Sequence, residues 1–166
     1  KRICLIKTST SSGENFLGGY RSGLEKNPDV EQFTVIYQIS DMPVLFGEQE
    51  IAANAFSVDS TFFKIFPYRV IAGSGRIVRP RDVVITRSFW MKKLGGKNAI
   101  GATFKNTKGN KFTIVGVVDD PDTKTSWTPD IFMSIELEEY LFFDPIYAIL
   151  MAADADLAVL NKEYSK

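Results

Sequence analysis

The sequence predicts an α+β fold: a β-α-β-β layer, then a smaller, mainly β segment that carries one helix. Three observations lead there. Apolar residues alternate with others over short runs, as in Phe33, Val35, Tyr37 and Ile39, the period-2 mark of a half-buried strand. Helix-compatible runs are brief and stop at Asn27-Pro28, Pro67 or Gly95-Gly96. The 166 residues, 45% hydrophobic and 24% charged, are enough to bury a core without a disulfide or metal staple.

In chain order, Ile3–Lys7 reads as a strand, followed by a Ser/Thr/Gly/Asn loop over Thr8–Asn15. Tyr20–Lys26 reads as a short helix with Leu24 inward, ended by Pro28 because proline cannot continue a helix. Phe33–Ile39 and the apolar run Ile51–Val58 read as partner strands. Asp59-Ser60-Thr61 offers N-cap side chains for a helix over Phe62–Phe66, with its phenylalanines in the core. Tyr68–Ile71 resumes as strand, and Gly73-Ser74-Gly75 reads as a flexible break.

The stretch from Arg81 to Asp120 reads as a compact unit. Val83–Ile85 is a buried-type strand, Thr86 caps a helix over Arg87–Leu94, and Gly95-Gly96 ends it in the left-handed conformation. Ala102–Lys105 and Lys111–Val118 read as a hairpin turned at Lys108-Gly109-Asn110, with Gly116 marking a bulge or a close backbone approach. A polar linker, Pro121–Pro129, then leads to a strand at Ile131–Ile135 and a helical turn at Glu136–Leu141. A strand at Tyr147–Ala152 and a terminal helix over Ala155–Tyr164 complete the pattern.

Two counts exclude much chemistry. Without histidine, Ser-His-Asp triads and His-ligated metal sites cannot be built. Cys4 alone excludes internal disulfides and cysteine clusters, and its neighbours Ile3 and Leu5 predict a buried, inert thiol. No apolar run approaches the roughly 20 residues of a spanning helix, and Lys1-Arg2 leads into no signal-peptide core.

Lysines and arginines balance aspartates and glutamates at 20 each, yet the signs are segregated. From Arg76 to Lys111 ten cations face Asp82 alone, a net of +9, and from Asp119 to Asp144 eight anions face Lys124 alone, a net of −7. Such segregation suggests a polarised molecule rather than a nucleic-acid binder, because the basic stretch lacks interleaved aromatic platforms; the alternative is that both sets are solvated faces that meet in the fold.

Apparent motifs fail one by one. Gly95-Gly96-Lys97-Asn98 has Met91 where a phosphate loop needs glycine and Asn98 where it needs Ser or Thr. Asp119, Asp120, Asp122 and Asp130 match no metal loop, and Asp154 with Asp156 lack a calcium loop's glycine and distal glutamate. Ser88 and Lys92, at i, i+4, read as surface residues of a basic helix rather than a nucleophile pair. The chain is expected to be neither an enzyme nor a cofactor carrier.

Several segments in order resemble the MacB-like periplasmic core domain of ABC-transporter permeases in the MacB/FtsX superfamily. They are Val58–Phe66, Val70–Gly73, Asp82–Phe89, Leu94–Gly101, Phe112–Asp120 and Pro129–Phe132, spread over Val58–Ile135. Trp90 departs from the small residue usual after the helix phenylalanine, and Gly95 from a common aromatic.

The resemblance implies a porter-like lobe from residues 1–75 and 121–166, with 76–120 as an inserted, mainly β lobe. It also implies a domain on the periplasmic side of the bacterial inner membrane, with Lys1 and Lys166 lying where membrane helices join. The implied partners are a cytoplasmic ABC ATPase, a second permease copy and a periplasmic protein, peptide or lipoprotein. The implied role is mechanotransmission, coupling cytoplasmic ATP hydrolysis to periplasmic work without catalysis in this domain. Arg76, Arg79, Arg81, Arg87, Lys92 and Lys93 are the candidate docking residues. The alternative is a free-standing periplasmic ligand- or peptide-binding module with Trp127, Phe132 and Tyr140 lining a pocket, although core or interface packing is the role expected of these aromatics.

Overall fold

The computed structural model describes residues 2–7, 16–121, 127–135, 145–156 and 158–159, with side chains in the first helix from Arg21 onward. Its elements run β1 (Ile3–Lys7), α1 (Phe16–Lys26), β2 (Val30–Phe46), β3 (Gln49–Val58), α2 (Phe62–Ile65), β4 (Val70–Gly73), β5 (Asp82–Thr86), α3 (Arg87–Lys93), β6 (Thr103–Asn106), β7 (Lys111–Val118), β8 (Ile131–Ser134) and β9 (Ile146–Met151). The strands form one nine-stranded sheet in the order β1-β9-β2-β3-β8-β5-β7-β4, with β6 pairing both β2 and β7. Pairs β3/β8 and β5/β7 are parallel and the others antiparallel, so the fold is α+β. The Thr8–Asn15 loop, the Glu136–Leu141 turn, linker residues 122–126 and most of the expected terminal helix lie outside the described residues.

β2 is the largest departure from the sequence reading: it spans 17 residues, not the seven of Phe33–Ile39. The cause is a bulge. Ile39 pairs with Ala55 but Met42 with Ala53, so one extra residue sits on β2, and Asp41 takes φ 50° there. The extra residue reverses the parity of the strand. Before it, the odd-numbered Val35, Tyr37 and Ile39 share one face; after it, the even-numbered Met42 and Val44 take that face over. A period-2 search loses the strand at that step, and Pro43 argues against continuing it.

Beyond the bulge the sheet closes on itself. The circuit β2-β3-β8-β5-β7-β6 returns to β2 through Val44↔Asn106 and Leu45↔Lys105, making a small barrel. Residues 76–120 supply β5, α3, β6 and β7, while β2, β3 and β8 come from the flanking stretches. Ile39, Val44, Ile51, Ala55, Val83, Ile85, Ile114, Val117 and Ile131 fill the interior with Phe104 and Phe112, whose rings stack at 5.3 Å. Phe89 of α3 is 1% exposed and belongs to the same core.

The outer faces of the same strands build a second core. Phe56 on β3, Val84 on β5, Val118 on β7 and Phe132 on β8 pack against Phe62 of α2, with Phe66, Tyr68 and Trp127 around them. β3, β5 and β8 are therefore buried on both faces, which is why Val83–Ile85 and Ile131–Met133 read as continuous apolar runs. A third cluster joins Leu24 of α1 to Val35, Tyr37, Tyr147, Ile149 and Met151. Cys4 packs partly against it and is half-buried, correcting the expected buried thiol.

Local signals otherwise hold. The Thr86 hydroxyl accepts the Phe89 N–H at 3.4 Å, and Gly95 and Gly96 take φ 64° and 66° after α3. The Gly73-Ser74-Gly75 stretch, expected as a flexible break, is instead a crossing. Gly73 ends β4 with φ 67°, and the Ser74 N–H donates to the Val115 carbonyl at 2.8 Å. A Cβ on Gly116 would lie 1.7 Å from the Ser74 carbonyl oxygen, so both senses of the Gly116 expectation are met: close approach, and a bulge where β5 meets β7.

Candidate functional site

The six candidate cations are all exposed, but the fold divides them into groups. Arg79 and Arg81 precede β5, whereas Arg87, Lys92 and Lys93 ride on α3 beyond its other end, roughly 15 Å away along the strand. Arg76 lines a separate cleft of about 830 Å³ between α2, β4 and the end of β8, together with Arg21 and Lys64.

Two of the six are already engaged by carboxylates. Arg79 Nε donates to Asp82 at 3.1 Å, and this buried acceptor raises the guanidinium's proton affinity further. Arg87 lies 3.5 Å from Asp119, which also accepts hydrogen bonds from Arg69. The Arg69 side chain, followed by Coulomb attraction to Arg69 and Arg87, holds the Asp119 carboxyl below the usual carboxylate range. Arg81 stands over the Phe112 ring at 5.8 Å, a cation–π contact at the barrel mouth.

Lys92 and Lys93 rim a cleft of about 470 Å³ between α3 and the β7–β8 connection. Thr86, Ser88, Asp120, Trp127, Pro129 and Asp130 face them there. Each carboxylate is held by a local bond. Asp120 accepts the Ser88 hydroxyl at 2.9 Å, so Ser88 serves this carboxylate rather than a pair with Lys92. Asp130 accepts the Asn54 N–H at 2.9 Å while its own N–H donates to the Asn54 carbonyl at 2.7 Å, clamping β8 to β3. Burial pushes the Asp130 carboxyl up, against the Asn54 hydrogen bond and the field of Lys93 and Lys92. Tyr68 nearby is pushed to about 12 by burial and by Asp120.

The two described aromatics of the alternative reading do not share a pocket. Trp127 rims the cleft edge-on to Phe56 at 5.6 Å, but Phe132 is fully buried in the outer core and Tyr140 lies outside the described residues. The structural anchor that sequence reasoning undervalued is Asp59. Beyond serving α2, it accepts the Thr34 hydroxyl at 2.7 Å and the Val35 N–H at 3.1 Å, tying the helix to β2. Among the described residues no group of three or more Asp, Glu or Cys is placed to hold a metal, and no helix is long and apolar enough to cross a membrane.

A family model described as the MacB-like periplasmic core domain matches residues 8–163. The chain belongs to this family. The family is that of a periplasmic domain of ABC-transporter permeases, which work with a cytoplasmic ATPase. The periplasmic region of MacB from Actinobacillus actinomycetemcomitans is 16% identical and superposes with a TM-score of 0.69 over 98% of this chain and 79% of that one. The extracellular domain of the ABC-type transporter YknZ from Gram-positive bacteria is 14% identical, with a TM-score of 0.70 over 98% of this chain and 94% of that one. At such identities the likeness is one of fold. No curated protein matches the chain in sequence.

Proposed function

We propose that this MacB-like core domain is a non-catalytic relay on the periplasmic side of a bacterial inner-membrane permease. It passes movement of the membrane helices, driven by cytoplasmic ATP hydrolysis, to a periplasmic protein, peptide or lipoprotein. The supporting observation is the continuity of the sheet. β2 alone spans 17 residues, roughly 55 Å of strand, and pairs with β9 at one end and with β6 of the barrel at the other. A displacement at β1 or β9 is thus carried to the barrel by hydrogen-bonded strands rather than across a linker.

In this reading residues 1–75 and 121–166 form the porter-like lobe and 76–120 the inserted lobe, the two sharing the barrel wall. Docking falls to Arg76, Arg81, Lys92 and Lys93, since Arg79 and Arg87 already have carboxylate partners. The test uses the full permease with its ATPase. Replacing residues 16–151 by a Gly/Ser linker should leave ATP hydrolysis and abolish export. Export that survives the replacement overturns the relay.

A further inference from the structure

The cleft between α3 and the β7–β8 connection gathers charges that do not neutralise one another. Lys92, Lys93 and Asp130 all line it, and the field of both lysines reaches the Asp130 carboxyl. Yet neither lysine has an ion-pair or hydrogen-bond partner among the described residues. Opposite signs thus stand within Coulomb reach of each other but beyond ion-pair distance.

The second acid of the cleft, Asp120, is already occupied. Ser88 holds its Oδ1 through the N–H at 3.3 Å and its Oδ2 through the hydroxyl at 2.9 Å. Asp130 differs. Its Oδ2 accepts the Asn54 N–H at 2.9 Å, while Oδ1 has no partner among the described residues. Burial has taken part of this carboxylate's hydration, so a donor brought to Oδ1 restores an interaction that solvent supplies poorly there.

The space between these groups has the dimensions of a small-molecule site. Its volume of about 470 Å³ lies within the roughly 300–1,000 Å³ such sites occupy. Phe89, Pro129 and the half-buried Trp127 give it an apolar lining in which the charged groups stand at few points. Two ammonium groups repel a plain cation, and a carboxylate with an open oxygen repels a plain anion. A ligand carrying both signs satisfies both, and the lining selects one with an apolar body.

We propose that this cleft binds a small zwitterion of the apolar α-amino-acid class. Its carboxylate meets Lys92 and Lys93, its ammonium meets Oδ1 of Asp130, and its side chain lies against Trp127. Both charges sit on one carbon, which suits a gap too wide for a direct ion pair. The site does not rest on the relay, because binding to the chain is read without export.

The test titrates the chain at neutral pH with L-phenylalanine up to about 10 mM, followed by amide NMR shifts. Phenylalanine should bind about tenfold more tightly than 3-phenylpropionate, which lacks the ammonium, or phenethylamine, which lacks the carboxylate. The shifts should centre on Lys92, Lys93 and Asp130. Asp130→Asn keeps the side chain's size and an acceptor for Asn54, yet it should erase the advantage over 3-phenylpropionate. Lys92→Gln combined with Lys93→Gln, both exposed positions, should instead erase the advantage over phenethylamine. No saturable binding of phenylalanine, equal affinity for the three compounds, or shifts centred elsewhere overturn the proposal. Loss of export on replacing residues 16–151 carries no information about this cleft, so the two readings fail separately.

Discussion

The barrel and the layered end bury the same sheet by different means. Inside the barrel the wall is its own cover: six strands close around Phe104, Phe112 and a set of β-branched side chains, and α3 adds Phe89. At the layered end the cover comes from elsewhere, from α2 and Trp127 over one face and from α1 over the other. Closure removes strand edges; layering leaves them, and β1 at the open end keeps Ile3 and Leu5 43% and 45% exposed. Yet β3, β5 and β8 lend one face to each region. Two packing solutions on shared strands make one cooperative unit, and a core defect on either side is felt by both.

The hardest test of that unity compares Phe132→Ala, in the outer core, with Phe112→Ala, inside the barrel. Each should cost about 3–5 kcal/mol in urea unfolding, and both should retain a single transition. Two separate transitions in either variant would divide the regions. Gly116→Ala sharpens the comparison at the crossing of β4 over β7. With the Ser74 carbonyl 1.7 Å from the new methyl group, it should cost about 3 kcal/mol, with amide exchange accelerated first at β4, which among the described residues pairs only with β7.

The smallest effect is on pH dependence, and there two carboxylates should differ in sign. Burial raises Asp130, so its contribution is complete below the ordinary carboxylate range and is lost as pH rises through the raised value. Arg69 lowers Asp119, so that contribution is present above the ordinary range and is lost as pH falls through the lowered value. Asp130→Asn should therefore gain on the parent in urea midpoint as pH rises from acid to neutral, while Arg69→Gln falls further behind. Parallel curves for both variants would remove the distinction.

What the sequence made legible was local. Thr86 as cap, Gly95-Gly96 as stop and the Lys108-Gly109-Asn110 turn act within a few residues of themselves, and β5 through β7 were found where expected. The hairpin turn also has an organiser that went unread, Asn106, whose side chain accepts the N–H groups of Lys108 and Asn110. Barrel closure was not legible, because nothing near Leu45 announces a register with Lys105. The site followed the same rule. Exposure of the six cations was readable from their density, but the claim of Asp119 on Arg69 and Arg87 spans up to 50 residues and depends on the fold. Core packing, the role favoured for Phe132, is the one it takes, although an aromatic in a doubly buried strand and one lining a pocket leave the same trace in sequence.

The kink at Asp41 sets direction rather than facing. Without that one amino acid, Met42 and Val44 would follow Ile39 in plain alternation and keep their places opposite Ala53 and Ile51, but the bend that turns β2 from the layered end into the barrel wall would be lost. Curvature is what this position preserves, so a deletion here should strain the closure of β2 against β6 rather than expose the barrel interior.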